Sequence, residues 1–189
     1  MVDLNIDNID LMATHAKPTQ QHYSASYSRW LRHFLYMPWR TRYCFNEQAR
    51  NQISKAVQQA EQGHSGEIQV IIEGHLPLPI AWRGGNSMRA KQLFAEYGVW
   101  DTAYNSGVLL YINLCERQVD IVADRGIHAH VNPEHWHTIC EHITQYLAQQ
   151  QYLEGVLIGI QHIGDTLEQF YDQQLKNIDN ELGDNAIFL

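Results

Sequence analysis

Two spacings of apolar residues alternate along this chain, one helical and one extended, and their order predicts the elements. After Asn46, the residues Ala49, Ile53, Ala56, Val57 and Ala60 fall on one helical face, with Asn46 as the N-cap and Gly63 as the stop. In Glu67–Glu73, Ile68, Val70 and Ile72 share one face and Ile71 adds apolar surface to the other, the pattern of a short buried strand. The stretch from Gly74 to Asn86 carries Pro77, Pro79 and Gly84-Gly85 and reads as a long loop. Ser87 is expected to cap a second helix with Ala90, Leu93, Phe94 and Tyr97 on one side, closed by Gly98.

Residues 107–114 are apolar on both faces, as a central strand requires, and Gln118–Ala123 returns after the polar turn Cys115-Glu116-Arg117 to make a hairpin. Asn132-Pro133-Glu134 supplies an N-cap, a first-turn proline and a carboxylate at the positive end of a helix whose stripe is Trp136, Ile139, Cys140, Ile143 and Leu147. A last long helix from about Tyr152 spaces Val156, Ile160, Ile163, Leu167 and Tyr171 for burial. The order helix, strand, helix, strand, strand, helix, helix predicts an α/β fold, a three-layer α/β/α sandwich with a small mixed central sheet.

The flanks have no such rhythm. Residues 1–26 are polar and aperiodic, which predicts a mobile N-terminal extension. Residues 27–45 form an aromatic and basic arm with Arg29, Arg32, Arg40 and Arg42 and no acidic residue. The favoured reading is that Trp30, Phe34, Trp39 and Phe45 cover the domain; the other is a surface helix lying on anionic lipid, as a peripheral membrane contact, or on a protein partner. The domain itself spans residues 46–172, and residues 173–189 are an acidic C-terminal tail ending in Ile187-Phe188-Leu189.

Composition narrows the functional classes. A chain of 189 residues suits one core with extensions, and a formal net charge of -8 repels phosphate backbones, so no nucleic-acid partner is expected. Cys44, Cys115 and Cys140 are separate singletons without CxxC spacing, which suits reduced core thiols. The first ten residues lack a basic and apolar leader, and no stretch approaches about 18 apolar residues, so the expected location is cytoplasmic.

One edge of the sheet gathers chemistry. If the strands at Glu67 and Gly107 run parallel, their beginnings lie together and the hairpin partner ends beside them. That brings Ser65, Gly66 and Glu67 near Asp101, Asn105 and Ser106, and near Asp124 and Arg125. Glu67, Asp101 and Asp124 with amide and hydroxyl oxygens suit a hard cation such as Ca²⁺, while Arg125 suits a phosphate. The competing structural reading has Asp101 and Asn105 capping turns and Glu67 paired with Arg125. His128, His130, His135, His137 and His142 are read as exposed or hydrogen-bonding side chains in preference to a zinc or copper site, because no complete ligand set is visible. His128 follows Arg125-Gly126 directly and stays among the ligand-binding candidates.

Ser65-Gly66-Glu67-Ile68, Asn105-Ser106-Gly107-Val108-Leu109-Leu110 and Val119-Asp-Ile-Val-Ala-Asp-Arg-Gly126 occur in that order on the expected strands. Together they resemble the TPM-domain family from about residue 46 to about residue 172. Val99-Trp-Asp-Thr, Arg125-Gly-Ile-His128 and the preceding arm are similar to a soluble bacterial branch of it. The resemblance implies acid phosphatase activity as in some members, a calcium ion as in several, or a role in assembly or repair of membrane complexes as in others. Many members carry a signal peptide and a membrane anchor, and neither is seen in this sequence. As phosphatase machinery, Asp101 or Asp124 would supply the attacking group or hold a metal-bound water, and Arg125 the positive charge.

Two functions are therefore carried forward. The first is a soluble TPM-like domain whose acidic sheet edge binds an ion or a small phosphorylated ligand, with weak acid phosphatase activity if it is an enzyme. The second is a non-enzymatic interaction or assembly module for a protein or membrane-associated complex, acting through the arm and the sheet edge.

Overall fold

The structure, a computed structural model, describes residues 14–15, 27–37, 39–83, 85–170 and 181–189. The proposed mobile extension lies outside them except for Thr14–His15, which forms a short strand, β1, antiparallel to a later strand, with Thr14 opposite Ala123. The arm folds as two short helices, α1 (Tyr27–Phe34) and α2 (Trp39–Cys44). Helix α3 (Glu47–Ala60) starts where the sequence places it, because the Asn46 side chain accepts the Ala49 N–H at 2.9 Å.

Strand β2 (Glu67–Glu73) is buried throughout. The long loop that follows is instead broken by helix α4 (Leu78–Arg83), against which α1 packs. Helix α5 runs over Asn86–Glu96, two residues earlier than expected: Gly85 occupies the N-cap with no side-chain bond, and Ser87 lies in the first turn. Gly98 ends this region with φ of 66°, a left-handed conformation that glycine adopts without steric cost.

Strands β3 (Gly107–Asn113) and β4 (Gln118–Ala123) form the expected hairpin. A four-residue helix, α6 (Arg125–His128), leads into α7 (Pro133–Ala148), capped by the Asn132 side chain, and then α8 (Tyr152–Phe170). Tyr171, placed by periodicity on the last helix, lies outside the described residues. The C-terminal apolar cluster becomes strand β5 (Ile187–Phe188), which adds to the sheet edge parallel to β2.

The sheet order is β1-β4-β3-β2-β5, with β2 and β3 parallel and β3 and β4 antiparallel. It is the small mixed sheet of an α/β/α sandwich. On one face Ile68, Val70, Ile72, Val108, Leu110 and Ile112 meet the apolar stripes of α3, α7 and α8, around the fully buried Trp136. On the other, Ile71, Leu109, Tyr111 and Val122 meet Ala90, Leu93 and Phe94 of α5, with Val99 and Leu182. The central strands are apolar on both faces because helices cover both.

The arm departs from its favoured reading. Phe45 is buried against Phe188, but Phe34 and Trp39 are 59% and 62% exposed, so they do not cover the domain. The anchors are polar instead: the buried His33 accepts the Leu76 N–H on Nδ1 at 3.1 Å, so its Nε2–H donates to Glu116 at 2.8 Å. No helix among the described residues is long and apolar enough to cross a membrane.

Candidate functional site

Parallel pairing sets Glu67 opposite Gly107, and the hairpin sets Val108 opposite Ala123, so the starts of β2 and β3 and the end of β4 share one sheet edge. Ser106, fully buried, ties this edge together. Its N–H donates to Thr102 Oγ1 at 2.9 Å, its hydroxyl donates to the Ser65 carbonyl at 2.6 Å, and its carbonyl accepts the Glu67 N–H at 3.2 Å. Asn105 sits in left-handed backbone with φ of 53°, a conformation Asn tolerates better than most residues. Its carbonyl accepts the Gly126 N–H at 3.1 Å and its Oδ1 accepts from Arg125 Nε at 3.0 Å.

Asp124 ends β4 and caps α6. Its N–H donates to the Gly107 carbonyl at 2.9 Å, and its Oδ1 accepts the Arg125 N–H at 2.7 Å. The residue is 3% exposed, yet Oδ2 is buried with no hydrogen-bond partner; the Ser65 hydroxyl oxygen, also buried, accepts no bond either. Burial raises the Asp124 carboxyl above the ordinary carboxylate range, and the Arg125 amide bond and charge offset part of that rise.

Ser65, Asn105, Ser106, Asp124 and Arg125 therefore meet as the sequence reading expects. Other candidates are drawn elsewhere. The Glu67 carboxylate accepts the Leu182 N–H at 3.3 Å and belongs with the C-terminal segment; it does not pair with Arg125, which bonds Asn105. Gly66 donates its N–H to His64 Nδ1 at 3.0 Å, and a Cβ there would come within 2.8 Å of Leu167, so it serves packing under α8. Asp101 is exposed and its N–H closes a turn onto the Gly98 carbonyl. His128 is exposed on α6. Among the described residues no three His, Cys, Asp or Glu side chains group so as to hold a metal ion, so Glu67, Asp101 and Asp124 do not form the three-carboxylate cluster.

Three of the histidines read from the sequence have side-chain neighbours of their own. His135 Nε2 lies 2.8 Å from Thr166 Oγ1, whose own proton goes to the His162 carbonyl, and His137 pairs with Glu141 at 3.1 Å. His142 packs against Tyr146 and His162.

Sequence reasoning missed two polar groups. Glu61, just beyond α3, accepts the Ile68 N–H at 2.7 Å, which gives the second amide of β2 a partner. Burial, then the nearby Glu67 and Asp184 charges, push its carboxyl up to about 8 despite that bond. A carboxyl raised in the folded state holds its proton where the unfolded chain has lost it. Its contribution is full below about pH 4.5 and is lost as pH rises through about 8. Chemical denaturation should accordingly find the chain less stable at pH 8 than at pH 5, with Glu61→Gln flattening that slope; an unchanged slope would remove Glu61 as its cause. The second group joins Glu73, Arg89 and Tyr111 at the far end of β2. Arg89 binds the buried Glu73 carboxylate through Nε and Nη2 at 2.8–3.2 Å, and the Tyr111 hydroxyl donates to it at 2.6 Å. Alternation along β2 and β3 puts both residues on the α5 face, but nothing in the strand pattern announces the pairing.

A mixed five-stranded sheet between helical layers, with a polar edge built from two strand starts and one strand end, defines the class of fold. The TPM domain model matches residues 42–166, and the chain belongs to the TPM domain family. Among solved structures, the chain is similar to the NMR structure of the BA42 protein from the psychrophilic bacterium Bizionia argentinensis, at 25% identity and a TM-score of 0.68. That likeness covers 77% of this chain and 95% of the other. A comparison with curated proteins finds no match.

Proposed function

We propose that this TPM domain binds a small ion or phosphorylated ligand at the sheet edge, with Asp124 as the anchor. One observation carries the reading: a carboxylate oxygen of Asp124 is buried without a partner, at the sheet edge that Ser65, Asn105 and Ser106 help to build. An unpaired buried carboxylate is costly, and a hard cation such as Ca²⁺ offsets that cost while drawing oxygen ligands from the same edge. Asp101, exposed on the loop between Gly98 and Asn105, would contribute from the rim and not from the buried edge. A bound cation would in turn hold a phosphate group next to Arg125, which is the arrangement a weak acid phosphatase needs.

Calorimetric titration with Ca²⁺ tests the binding. Wild type should show saturable binding that strengthens as pH rises and Asp124 ionises. Asp124→Asn should weaken it by more than about tenfold, given that even outer-shell changes at metal sites commonly cost that much. Equal binding by the variant, or no binding by wild type, sinks the cation reading. Hydrolysis of a generic phosphate ester from acidic to neutral pH, lost in Asp101→Asn and Asp124→Asn, tests the catalytic part. No hydrolysis with any divalent cation removes that part and leaves binding.

A second reading, a non-enzymatic interaction module, is favoured by a separate feature: the apolar side chains that the arm presents to solvent.

A further inference from the structure

We propose that the arm docks on the surface of an anionic phospholipid bilayer, with Arg32, Arg40 and Arg117 receiving lipid phosphates and Phe34, Leu35, Met37 and Trp39 entering the headgroup layer. This commits the interaction-module reading to one partner and is independent of ligand binding at the sheet edge.

The first observation is where the exposed apolar surface lies. Phe34, Leu35, Met37 and Trp39 are each 56–63% exposed, Tyr43 is 83% exposed, and Leu31 lies beside them at 39%. Such side chains scattered singly are ordinary on a protein surface; gathered in thirteen residues they form a patch that calls for a covering surface. The patch sits on a fixed base. His33 is tied to Leu76 and Glu116, the Tyr36 hydroxyl bonds Thr41 at 3.0 Å, and Tyr36 lies so close to Gly74 that a Cβ there would come within 2.7 Å of its ring. The arm therefore presents its apolar side chains from a docked scaffold.

The second observation is charge. A groove of about 510 Å³ opens between the arm and the β3–β4 turn, with Arg32, Arg40 and Arg117 around it and Leu35, Tyr36 and Tyr152 among its walls. Its one acidic wall, Glu116, is bonded to His33. Among the described residues no carboxylate pairs with Arg32, Arg40 or Arg117; the Arg40 guanidinium lies 5.9 Å from the Tyr36 ring centre. Three unpaired guanidinium groups around one groove stand out in a chain of net charge -8. Guanidinium matches phosphate oxygens in geometry as well as charge.

Aromatic and aliphatic side chains bordered by arginines suit the interface of an anionic membrane, where apolar insertion and charge attraction act together. An apolar protein groove would leave the arginines without counter-charges. The acidic remainder of the chain is repelled by the same membrane, which favours an arm-down orientation. The arm packs at the Gly74 and Cys115 end of β2 and β3, opposite the edge at Ser65 and Asp124, so docking leaves that edge facing solvent.

Co-sedimentation with phosphatidylcholine vesicles, with and without about 30 mol % phosphatidylglycerol, tests the proposal. The full chain should pellet with the anionic vesicles only, and less at high salt. Combined Arg32→Ala, Arg40→Ala and Arg117→Ala should weaken vesicle binding by more than about tenfold, since each basic residue near the surface adds severalfold. Phe34→Ser with Trp39→Ser, which leaves the charge unchanged, should also weaken it, with circular dichroism and Tm matching wild type because both side chains are exposed. Asp124→Asn should pellet as wild type does, so that its Ca²⁺ titration and the vesicle assay fail or succeed separately. Equal retention on neutral vesicles, or none on either, overturns the proposal. So does saturable binding of inorganic phosphate without vesicle retention, which assigns the groove to a free phosphate ligand. A concentration-dependent dimer abolished by the Phe34 and Trp39 changes, again without vesicle retention, overturns it in favour of a second copy of the chain.

Discussion

Gly107→Ala should lower stability by about 3–5 kcal/mol or prevent folding altogether, at the upper end of what overpacking does, because the added methyl runs into the backbone of Val99. A Cβ on Gly107 would stand 1.9 Å from the Val99 carbonyl oxygen and 3.0 Å from its carbon. Side chains yield to such contacts by changing rotamer, but a carbonyl moves only with its chain. Val99 is held by its N–H on the Phe94 carbonyl at 3.1 Å, directly after the left-handed turn at Gly98. Gly107 is held by β2 on one side and by the Asp124 N–H on its carbonyl at 2.9 Å on the other. Gly107 cannot retreat without breaking strand pairing, nor Val99 without breaking the turn that holds it, and a domain has only about 5–15 kcal/mol of net stability to lose. Gly183→Ala is the control, because nothing lies within 4 Å of its added Cβ, and it should stay within about 0.5 kcal/mol of wild type. Urea denaturation decides: a Gly107→Ala midpoint close to that of Gly183→Ala would show that the strand start has room.

Arg89→Met is expected to cost about 3–5 kcal/mol, the loss typical when a buried charge is stripped of its partner. Glu73 is 3% exposed, and its carboxylate is met by Arg89 Nε at 3.1 and 3.2 Å, by Nη2 at 2.8 Å and by the Tyr111 hydroxyl at 2.6 Å. Without the guanidinium, the tyrosine alone remains for an anion out of reach of water. The Tyr111 hydroxyl is itself driven to higher pKa by burial and then by the Glu73 charge, so it stays a donor and cannot share the negative charge. Tyr111→Phe should cost less, about 1.5–3 kcal/mol, as one hydrogen bond to a charged group. Replacing both ends of the pair, Glu73→Leu with Arg89→Met, should recover most of the single-variant loss, since apolar side chains of similar volume suit a buried site. Equilibrium denaturation of wild type, Glu73→Leu, Arg89→Met and the double variant forms a double-mutant cycle, and strict additivity of the two single changes would show that the pair is not coupled.

The burial of Glu73 also explains part of what the strand pattern hides. Alternation shows that Glu67, Gln69 and Glu73 share a face, and on a one-sided sheet that face would be wet. Here α5 and the C-terminal segment cover it, so each polar side chain needs a specific partner: Leu182 N–H for Glu67, Asn185 carbonyl for Gln69, Arg89 for Glu73. Two of these partners lie more than a hundred residues away in the chain, in a segment whose composition reads only as an acidic tail. Likewise the apolar end at Ile187–Phe188 is too short to signal a strand, and it becomes one because β2 offers an unpaired edge.

The candidate site divides along the same line. Ser106, Asp124 and Arg125 are legible because strand register alone brings the starts of β2 and β3 and the end of β4 together. The same edge argument groups Glu67 and Asp101 with them, but their surroundings separate them: Glu67 points to the covered face, and Asp101 lies exposed on the loop. In the arm, aromatic density suggested burial, whereas His33 and Tyr36 provide the attachment and leave Phe34 and Trp39 to solvent.

The sequence by itself determined the order of the main helices and strands of the domain, the α/β class, the two-sided burial of the central strands and the edge at which the family motifs converge, because periodicity and caps are local properties of the chain. Only the tertiary structure decided which buried carboxylates are paired, which one keeps an empty oxygen, and which apolar side chains of the arm remain outside. Those outcomes depend on what packs across a face or beyond a strand edge, and no local spacing encodes a partner supplied by a distant segment.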